Sequence, residues 1–322
     1  MSKYRIEKAT DLEKWDKLVD DSPQGTIFSN SIYLNSFGGK YEIFFVFKGN
    51  ELKAGFPIIL SEQNIVLDEL VIYGGILFYY DKTQKETKAK SERFEISEEI
   101  ISFLDLNYKK IEIALSPKIE DLRPFLWHNY HGEDKFIPDL RYTSYLNISS
   151  LKKFENEEET ENFKSLETLR QRNIREARKK EAKTYIDNSQ SDLFIEYYKN
   201  LMISQNEKFE NSKLINMKNL IDILVENNLA NIYIVENSEN VIQYITVFVW
   251  DNKRAYYLFG SPNPDGEERY KGTIAFWDSF IDLAKKGISE IDLEGINSPS
   301  RGWFKLGFGG NIKAYYEVRK GF

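Results

Sequence analysis

Two stretches of similar pattern decide the fold: YEIFFVFKGNELKAGFPIIL at residues 41–60 and NIYIVENSENVIQYITVFVW at residues 231–250. In each stretch, two runs rich in β-branched and aromatic residues flank a short polar segment. These segments are Lys48-Gly49-Asn50-Glu51 and Asn237-Ser238-Glu239-Asn240. Gly and Asn between two such runs are typical of a β-hairpin turn. The sequence therefore predicts the same hairpin once in each half of the chain.

The elements around each hairpin also repeat, which indicates one architecture used twice. After each hairpin we expect a third strand that runs into a Gly-containing turn, then one amphipathic helix, one strand and a closing strand. In the first half these lie at residues 65–72 (entering Tyr73-Gly74-Gly75), 97–106, 110–118 and 141–148. In the second half they lie at residues 254–259 (entering Gly260-Ser261-Pro262), 272–286, 289–300 and 311–318. Helices are predicted before both hairpins, at residues 11–20 and 29–37 and, in the second half, between 163 and 228.

Composition narrows the class of protein. The chain has 322 residues, long enough for two domains, and 44 Lys and Arg against 51 Asp and Glu give a net charge of −7. It contains no cysteine, which excludes disulfides, thiolate metal sites and a cysteine nucleophile. The acidic balance argues against duplex nucleic acid as the main partner. We find neither a secretory signal pattern nor an apolar run long enough to span a bilayer, and expect a cytoplasmic protein without membrane insertion.

The order of the predicted elements resembles that of a GNAT acyltransferase domain. The resemblance predicts an α/β fold of two tandem GNAT-like domains, each a mostly antiparallel sheet flanked by helices. We place the N-terminal domain at residues 1–150 and the C-terminal domain, which carries the acyl-donor site, at residues 151–322. The acidic stretch at residues 152–161 is interpreted as the linker because clustered like charges resist packing. A solvated helix start is the alternative interpretation.

Several phrases in the second half resemble the FemABX-like branch of the GNAT superfamily. They are LRQRNIREARKKE (residues 169–181), AYYLFGSP (255–262) and IDLEGINSPSRGWFKLGFGGN (291–311), with FKLGFGG after DLEG as the most specific run. TIFSNSIYL (26–34) and YGGILF (73–78) fit the same pattern more loosely. The resemblance implies acyl transfer to an amine. Some members use aminoacyl-tRNA to extend a peptidoglycan precursor, and others use acyl-CoA to acylate small amines, including nucleotide-linked amino sugars.

The donor site is expected at a turn that opens a helix. GNAT domains bind the CoA diphosphate at an Arg/Gln-x-x-Gly-x-Gly/Ala turn, where unpaired backbone N–H groups and the positive helix end face an anion. Ile274 occupies the last position of this pattern here, in place of Gly or Ala, and an ordinary helix start is the alternative. The resemblance implies these CoA-binding residues: Arg269, Tyr270, Lys271, Gly272 and Thr273.

The acceptor site is expected to carry positive charge. Arginines at positions 170, 172, 175 and 178 share a predicted helix face and could grip a diphosphate, or could simply form a solvated face paired with Glu176 and Glu181. The resemblance implies that Arg172 and Lys305 contact the phosphates of a nucleotide-linked acceptor and that Tyr257 lines the acceptor groove. Trp303, in a predicted loop, could stack on a sugar or base or close the domain edge. The substrate-binding candidates are Arg170, Arg172, Lys305, Arg301, Trp303 and Tyr73.

Amine acylation needs a base, an oxyanion site and a proton for the leaving thiolate. Asp292 and Glu294 lie two apart on a predicted strand and would share a face, so either could accept the ammonium proton. Alternatively, Asp292 orders the neighbouring loop through the backbone. Tyr257 is the candidate acid. A backbone N–H near Thr246 or Val247, on the strand that lies beside the thioester in GNAT folds, is the candidate oxyanion donor.

No metal site is predicted, because His128 and His131 are the only histidines and a loop or core role fits them better. We therefore expect an N-acyltransferase that moves an acyl group from acyl-CoA to the amine of a nucleotide-linked amino sugar for surface polysaccharide synthesis. Edge strands would allow a homodimer. One alternative is aminoacyl-tRNA-dependent transfer to a peptidoglycan precursor. The other is a non-catalytic binding module with the GNAT fold.

Overall fold

The structure, a computed structural model, describes residues 3–207 and 209–322. The chain forms two compact units. Unit 1 comprises the chain up to residue 141 together with residues 314–322, and unit 2 comprises residues 142–313. A single cut after residue 150 does not separate these two units, because the last nine residues belong with the first unit.

Unit 1 begins with a strand and two helices and continues with a β-hairpin. Its elements are β1 (Arg5–Lys8), α1 (Leu12–Asp21), α2 (Ser31–Ser36), β2 (Lys40–Lys48), β3 (Glu51–Ser61), β4 (Asn64–Ile65), β5 (Leu77–Phe78), α3 (Glu86–Asn107), β6 (Ile111–Ala114) and α4 (Arg123–Trp127). The predicted hairpin is confirmed: Lys48 pairs with Glu51 across a two-residue turn in which Gly49 has a φ of 60°. Gly favours that left-handed conformation because it has no Cβ.

The predicted third strand at residues 65–72 is wrong. Strand β4 ends at Ile65, and the next strand, β5, begins only at Leu77. Further along, the carboxylate of Asp68 accepts a hydrogen bond from the backbone N–H of Leu70, a local turn that competes with sheet pairing. The helix predicted at residues 97–106 starts a further eleven residues earlier, at Glu86.

The closing strand of each half pairs with a strand from the other half of the chain. β7 (Ile137–Asn147) follows α4, and its residues Tyr145–Asn147 pair antiparallel with β12 (Glu290–Asp292) in unit 2. β13 (Asn311–Lys320) pairs antiparallel with β6 in unit 1, from Glu317 opposite Ala114 to Lys320 opposite Ile111. The C-terminal strand therefore completes the sheet that the first half of the chain begins.

The strands of unit 2 pair in the order β7-β12-β11-β10-β9-β8. Its remaining elements are α5 (Glu161–Ser165), α6 (Thr168–Lys179), β8 (Lys183–Ile186), α7 (Ser191–Ser204), α8 (Asn211–Glu226), β9 (Ala230–Glu236), β10 (Ile242–Trp250), β11 (Ala255–Pro262), α9 (Lys271–Lys285) and α10 (Pro299–Leu306). All neighbouring pairs from β8 to β11 are antiparallel, and β11 and β12 are parallel. The second predicted hairpin is confirmed as β9 and β10.

Each unit has its own core. In unit 2 the apolar face of α9 packs on the sheet through Phe276 and Phe280, whose rings contact Phe248 and Phe308. The core of unit 1 lies between the hairpin and α3. No helix within the described residues combines the length and the apolar character needed to cross a membrane.

The acidic stretch at residues 152–161 is not a free linker. Glu157 accepts hydrogen bonds from Arg178 and from the indole N–H of Trp277, and Glu158 binds Arg175 at 2.6 Å. Oppositely charged partners on α6 neutralise the cluster and hold it against unit 2. Two of the four arginines of α6, Arg175 and Arg178, thus form internal ion pairs, with partners other than the Glu176 and Glu181 that the alternative interpretation named.

Candidate functional site

Unit 2 contains a cavity of about 400 Å³, which we call the Glu294 cavity. It lies between α7, β10, β11, α9, the loop that follows β12, and α10. Its lining includes Tyr198, Leu201, Met202, Gln205, Tyr244, Tyr257, Leu258, Phe259, Gly260, Pro262, Phe276, Glu294, Gly295, Ser300, Arg301, Phe304 and Lys305. The volume is within the range that small-molecule sites occupy.

The cavity forms because two parallel strands separate. β12 pairs with β11 only through Ala255 and Tyr256. Beyond that point β11 keeps its partner β10 on one side only, and its register with β10 shifts between Val247 and Phe248, which leaves Leu258 as an extra residue in β11. A β-bulge bends the strand and re-aims its groups. The edge of β11 from Tyr257 to Gly260 therefore faces the cavity instead of another strand.

Two oppositely charged side chains are buried in this cavity. Glu294 is 6% exposed and Lys305, from α10, is 8% exposed. Lys305 donates a hydrogen bond to the carbonyl of Gly295 at 3.2 Å, and its Nζ lies 4.9 Å from the ring centre of Tyr257. The Oε1 atom of Glu294 has no hydrogen-bond partner among the described residues. A buried carboxylate oxygen without a partner is costly, so it marks a place for a missing donor.

Burial shifts both groups toward their neutral forms. It raises the pKa of Glu294 well above its ordinary value, an effect that Asp292 reinforces and the charge of Lys305 opposes. It lowers the pKa of Lys305, while the charge of Glu294 acts in the opposite direction. The two pKa values thus move toward each other.

Two tyrosines face each other above Gly260. Their hydroxyl oxygens lie 2.6 Å (Tyr257) and 2.7 Å (Tyr244) from the point where a Cβ on Gly260 would stand, so only glycine leaves room for both. The two hydroxyls form one hydrogen bond with each other, which leaves the proton of one of them available to another acceptor. Burial raises the pKa of Tyr244 to about 12, so its hydroxyl stays protonated at neutral pH.

Asp292 and Glu294 do not lie on one strand, contrary to our prediction. β12 ends at Asp292, and Glu294 follows in a loop with a φ of 56°. Asp292 is fully buried; its carboxylate accepts hydrogen bonds from the hydroxyl of Thr143 and from the backbone N–H of Glu294, the latter at 2.8 Å. This matches the alternative interpretation that Asp292 orders the loop, because the bond holds Glu294 in a conformation that side chains rarely adopt.

The predicted CoA turn is the start of α9, beside the Glu294 cavity. Arg269 is exposed, whereas Tyr270 is fully buried. Lys271 donates to the carbonyl of Gly266, and Thr273 is buried with its hydroxyl oxygen accepting hydrogen bonds from Arg170 and Asn173, each at 3.0 Å. The Cβ position of Gly272 lies 3.5 Å from Phe304 and 3.6 Å from Tyr244, two cavity residues.

Thr246 and Val247 are fully buried on β10. β10 pairs with β9 on one side and with β11 on the other, so both residues have strand neighbours at either edge. The strand that borders the cavity with an unpaired edge is β11.

The predicted acceptor residues separate into three groups. Arg301 and Lys305 line the cavity, and the guanidinium of Arg301 donates to Gln205 at 3.4 Å. They lie on α10, a helix where we had predicted a loop, which also places Trp303 on it with 74% exposure. Arg170 is half-buried over the ring of Phe304, at 4.4 Å, and Arg172 is exposed on the same helix.

Tyr73 lies elsewhere, in the core of unit 1. It is 1% exposed, and its ring packs edge-to-face against Phe28 and Tyr315. His128 likewise forms a local contact in unit 1, with its Nε2 2.8 Å from Asp105. Within the described residues no group of three or more His, Cys, Asp or Glu side chains is arranged to hold a metal ion.

Sequence reasoning missed Tyr244 and Leu258. Tyr244 is one of 20 tyrosines and has no distinguishing neighbour in the sequence. The bulge at Leu258 depends on the register between two strands, which the pattern of one strand does not encode. The signal that could have found Tyr244 is its place on the second strand of the predicted hairpin, next to the strand that enters the Gly260-Ser261-Pro262 turn.

Solved structures with a similar fold cover nearly the whole chain. FemX aligns with a TM-score of 0.65 at 12% identity, over 97% of this chain and 96% of the other. A tandem GNAT protein from the clavulanic acid biosynthesis pathway aligns with a TM-score of 0.54 at 7% identity, over 98% and 97%. The chain has a tandem GNAT-like fold. The predicted fold class is thereby confirmed.

A third similar structure, L-PGS from Bacillus licheniformis, aligns with a TM-score of 0.57 at 9% identity, over 98% of this chain and 94% of the other. No family model and no curated protein sequence matches the chain. At these identities the likeness concerns the fold, and the chemistry has to be argued from the site.

Proposed function

We propose that this chain is an N-acyltransferase that moves an acyl group from acyl-CoA to an amine inside the Glu294 cavity. The observation that carries the proposal is the buried Glu294 carboxyl, whose Oε1 has no hydrogen-bond partner among the described residues although it lines a cavity. A protonated amine that enters the cavity would supply the missing donor. The same contact would begin the removal of its proton.

Glu294 suits the role of general base. A primary amine attacks a thioester only as the neutral form, so its ammonium proton must be removed first. Burial raises the pKa of Glu294, which makes its carboxylate a stronger proton acceptor than an exposed glutamate. The charge of Lys305 acts in the opposite direction and limits the rise of this pKa. The amine nitrogen then forms a C–N bond with the acyl carbon, and the C–S bond breaks.

The tyrosine pair suits the other half of the reaction. As the amine attacks, the carbonyl oxygen gains negative charge and needs a hydrogen-bond donor, and the departing thiolate needs a proton. The two hydroxyls of Tyr257 and Tyr244 share one hydrogen bond, so one of them keeps a free proton, and we assign that proton to Tyr244. The edge of β11 around Leu258 offers backbone groups beside the same space. We therefore assign the oxyanion to the β11 edge instead of to Thr246 or Val247, which have strand neighbours on both sides.

The start of α9 supports a CoA donor, because it lies beside the cavity and carries the exposed Arg269. The acceptor we propose is a nucleotide-linked amino sugar used for surface polysaccharide. Arg301 and Lys305 supply cationic groups for its phosphates, and the exposed Trp303 on the same helix supplies a stacking surface. Arg172 and Arg170 would add charge from α6.

Aminoacyl-tRNA is the second candidate donor. The fold likeness to FemX, with the highest of the TM-scores given above, favours it. An aminoacyl ester would present the same carbonyl to the same cavity, so Glu294 and Tyr244 keep their roles. The two candidates differ at the start of α9, which a CoA diphosphate would occupy.

The test is calorimetric titration of the purified protein with CoA. We expect salt-sensitive binding that Arg269→Ala weakens, because the arginine would contact the diphosphate. Lys285→Ala, at the opposite end of the same helix, is the matched control and should bind as the wild type does. Absence of CoA binding would contradict the acyl-CoA donor, and charged tRNA would be titrated next.

Thiol release from acyl-CoA in the presence of candidate amines then measures the reaction itself. Because the chain has no cysteine, a thiol reagent detects only the CoA that the reaction liberates. A protein that binds CoA but releases no thiol with any amine would support the non-catalytic binding module instead.

A further inference from the structure

A second cavity, of about 380 Å³, lies in unit 1, and we call it the Gln24 cavity. It occupies the place in the first repeat that the Glu294 cavity occupies in the second. Its walls come from β5, α3, the loop that follows β6, and α4. β5 pairs only with β3 within the described strands, so here too a strand edge faces a cavity.

The inner surface of the Gln24 cavity is apolar. Ile76, Phe78, Ile119 and Phe125 all line it, and each is at most 8% exposed. Such a surface favours a ligand with an apolar body, because covering it removes hydrocarbon from water.

The one buried amide in the lining bridges the gap between the strand edge and the loop. Gln24 is 8% exposed. Its Oε1 accepts hydrogen bonds from the hydroxyl of Ser22 at 3.0 Å and from the N–H of Phe78 at 3.4 Å, and its Nε2 donates to the carbonyl of Lys118 at 3.4 Å. Because the amide has partners within the protein, the head of a ligand would find its charged partners at the rim.

The rim provides positive charge that the protein does not neutralise. Arg123 is held by Asp121 through two hydrogen bonds, at 2.8 and 2.6 Å, and Arg93 lies 3.6 Å from Glu86. Two lining lysines, at positions 90 and 118, make no ion pair with any described residue. Among the described lining carboxylates, only Glu120 is similarly without an ion pair, so the unpaired charge of the rim is net positive.

None of the titratable groups in this lining is buried. The Gln24 cavity therefore lacks the kind of desolvated acid–base pair that Glu294 and Lys305 form, and its chemistry is that of binding. We propose that the Gln24 cavity binds an amphipathic anion, with its apolar chain on Phe78 and Ile119 and its anionic head at Lys90 and Lys118.

The probe is decanoate, titrated into the full chain while methyl groups of isoleucine and methionine are observed by NMR. Ile76 and Ile119 line the Gln24 cavity, and Met202 lines the Glu294 cavity. We expect saturable shifts at Ile76 and Ile119 and none at Met202. Decyl phosphate distinguishes a phosphate from a carboxylate head, and decyltrimethylammonium tests the requirement for negative charge.

Three variants complete the test. Lys118→Glu should weaken decanoate binding by about tenfold or more, because it replaces an attraction with a repulsion. Ser97→Phe places a ring into the cavity and should abolish binding, while Lys82→Glu, an exposed change elsewhere in unit 1, should leave it unchanged. The proposal is overturned if decanoate fails to saturate the Ile76 and Ile119 signals, if Met202 shifts instead, or if the cationic probe binds equally well.

Discussion

The two cavities occupy the same place in two copies of one fold, and they differ in where their charges lie. Each is bounded by the strand that pairs with the second strand of the hairpin (β5 or β11), the helix that follows (α3 or α9), the next loop and a short helix (α4 or α10). Their volumes are similar, about 400 and 380 Å³. In the Glu294 cavity a carboxylate and an ammonium group are more than nine-tenths buried, whereas the carboxylates of the Gln24 cavity are exposed.

This difference shows which part of the site the fold supplies and which part the side chains supply. A cleft arises in both units because a strand loses its neighbour on one side, and that is a property of the backbone. Proton transfer at neutral pH is helped by pKa values shifted toward neutrality, and burial shifts those of carboxylates and lysines in that direction. Only Glu294 and Lys305 meet that condition among the charged groups of the two linings.

The largest expected effect is that of Glu294→Gln on catalysis. If Glu294 removes the ammonium proton, the amide variant should lower kcat by about 10²- to 10⁴-fold, since a positioned base contributes that much. Thiol release from acyl-CoA under saturating amine measures it, and circular dichroism verifies that the variant is folded.

Glu120→Gln, in the Gln24 cavity, is the matched control for that substitution. It removes an exposed carboxylate from the loop that follows β6 in unit 1 and should leave the rate unchanged. A Glu294→Gln variant with wild-type kcat would show that another group acts as the base. Equal losses in both variants would show that the two cavities do not differ in the way proposed.

The second prediction compares two glycines at the ends of corresponding strand regions. A Cβ on Gly260 would stand 2.6 and 2.7 Å from the hydroxyls of Tyr257 and Tyr244, whereas a Cβ on Gly74 would meet nothing closer than the carbonyl of Ala114, at 3.9 Å. Gly260→Ala should therefore displace the tyrosine pair and cost about 1–3 kcal/mol of stability. Gly74→Ala should be close to neutral.

Urea denaturation of the two glycine variants measures the difference, and the rate of thiol release should fall only in Gly260→Ala. If both variants unfold at the same urea concentration as the wild type, the tyrosines have room to move and the contact is not a constraint. If Gly74→Ala is the more destabilised, the assignment of corresponding positions is wrong.

Much of the repeat could be predicted because its signals are local. Gly49-Asn50 and the flanking β-rich runs specify the first hairpin, and the helix predicted at residues 272–286 differs from α9 by one residue at each end. The pairing of β13 with β6 could not be predicted, because periodicity shows that a segment is a strand and leaves its partner open. We had predicted a loop where α10 lies, because the Gly and Ser residues of this segment suggested a turn.

The same distinction applies to the candidate site. Tyr257, Glu294, Arg301 and Lys305 were proposed from the sequence, and all four line one cavity. Whether a carboxylate is buried and unpartnered depends on tertiary packing, so the sequence could not rank Glu294 above Asp292. The structure separates them: Asp292 holds the N–H of Glu294, and Glu294 faces the cavity.

The third prediction concerns pH and follows from the raised pKa of Glu294. The folded state binds this proton more tightly than the unfolded state, so the contribution of Glu294 to stability is lost as pH rises from the ordinary glutamate range through the raised pKa. Glu294→Gln has no such loss. The melting temperature of the variant relative to the wild type should therefore be higher at about pH 8 than at about pH 5.

Calorimetric melting of both proteins at the two pH values checks this sign. In the variant the pKa of Lys305 falls further, because the charge of Glu294 that raises it is gone. A lowered lysine pKa makes stability rise with pH, so this change has the same sign as the predicted difference. A relative melting temperature that falls with pH would mean that Glu294 is stabilised as the carboxylate.

The smallest expected effect is that of Lys118→Gln on stability. A small effect would separate the role of this lysine in binding from a role in folding. Lys118 is exposed and makes no ion pair with a described residue, so the melting temperature should change by no more than about 1 °C. A larger drop, measured by calorimetry, would show that the rim of the Gln24 cavity contributes to folding. If the drop is absent, any loss of decanoate affinity on changing this lysine reports on binding alone, because the cavity itself remains intact. The rim charges of unit 1 would then be dispensable for the fold, as charges retained for a ligand are expected to be.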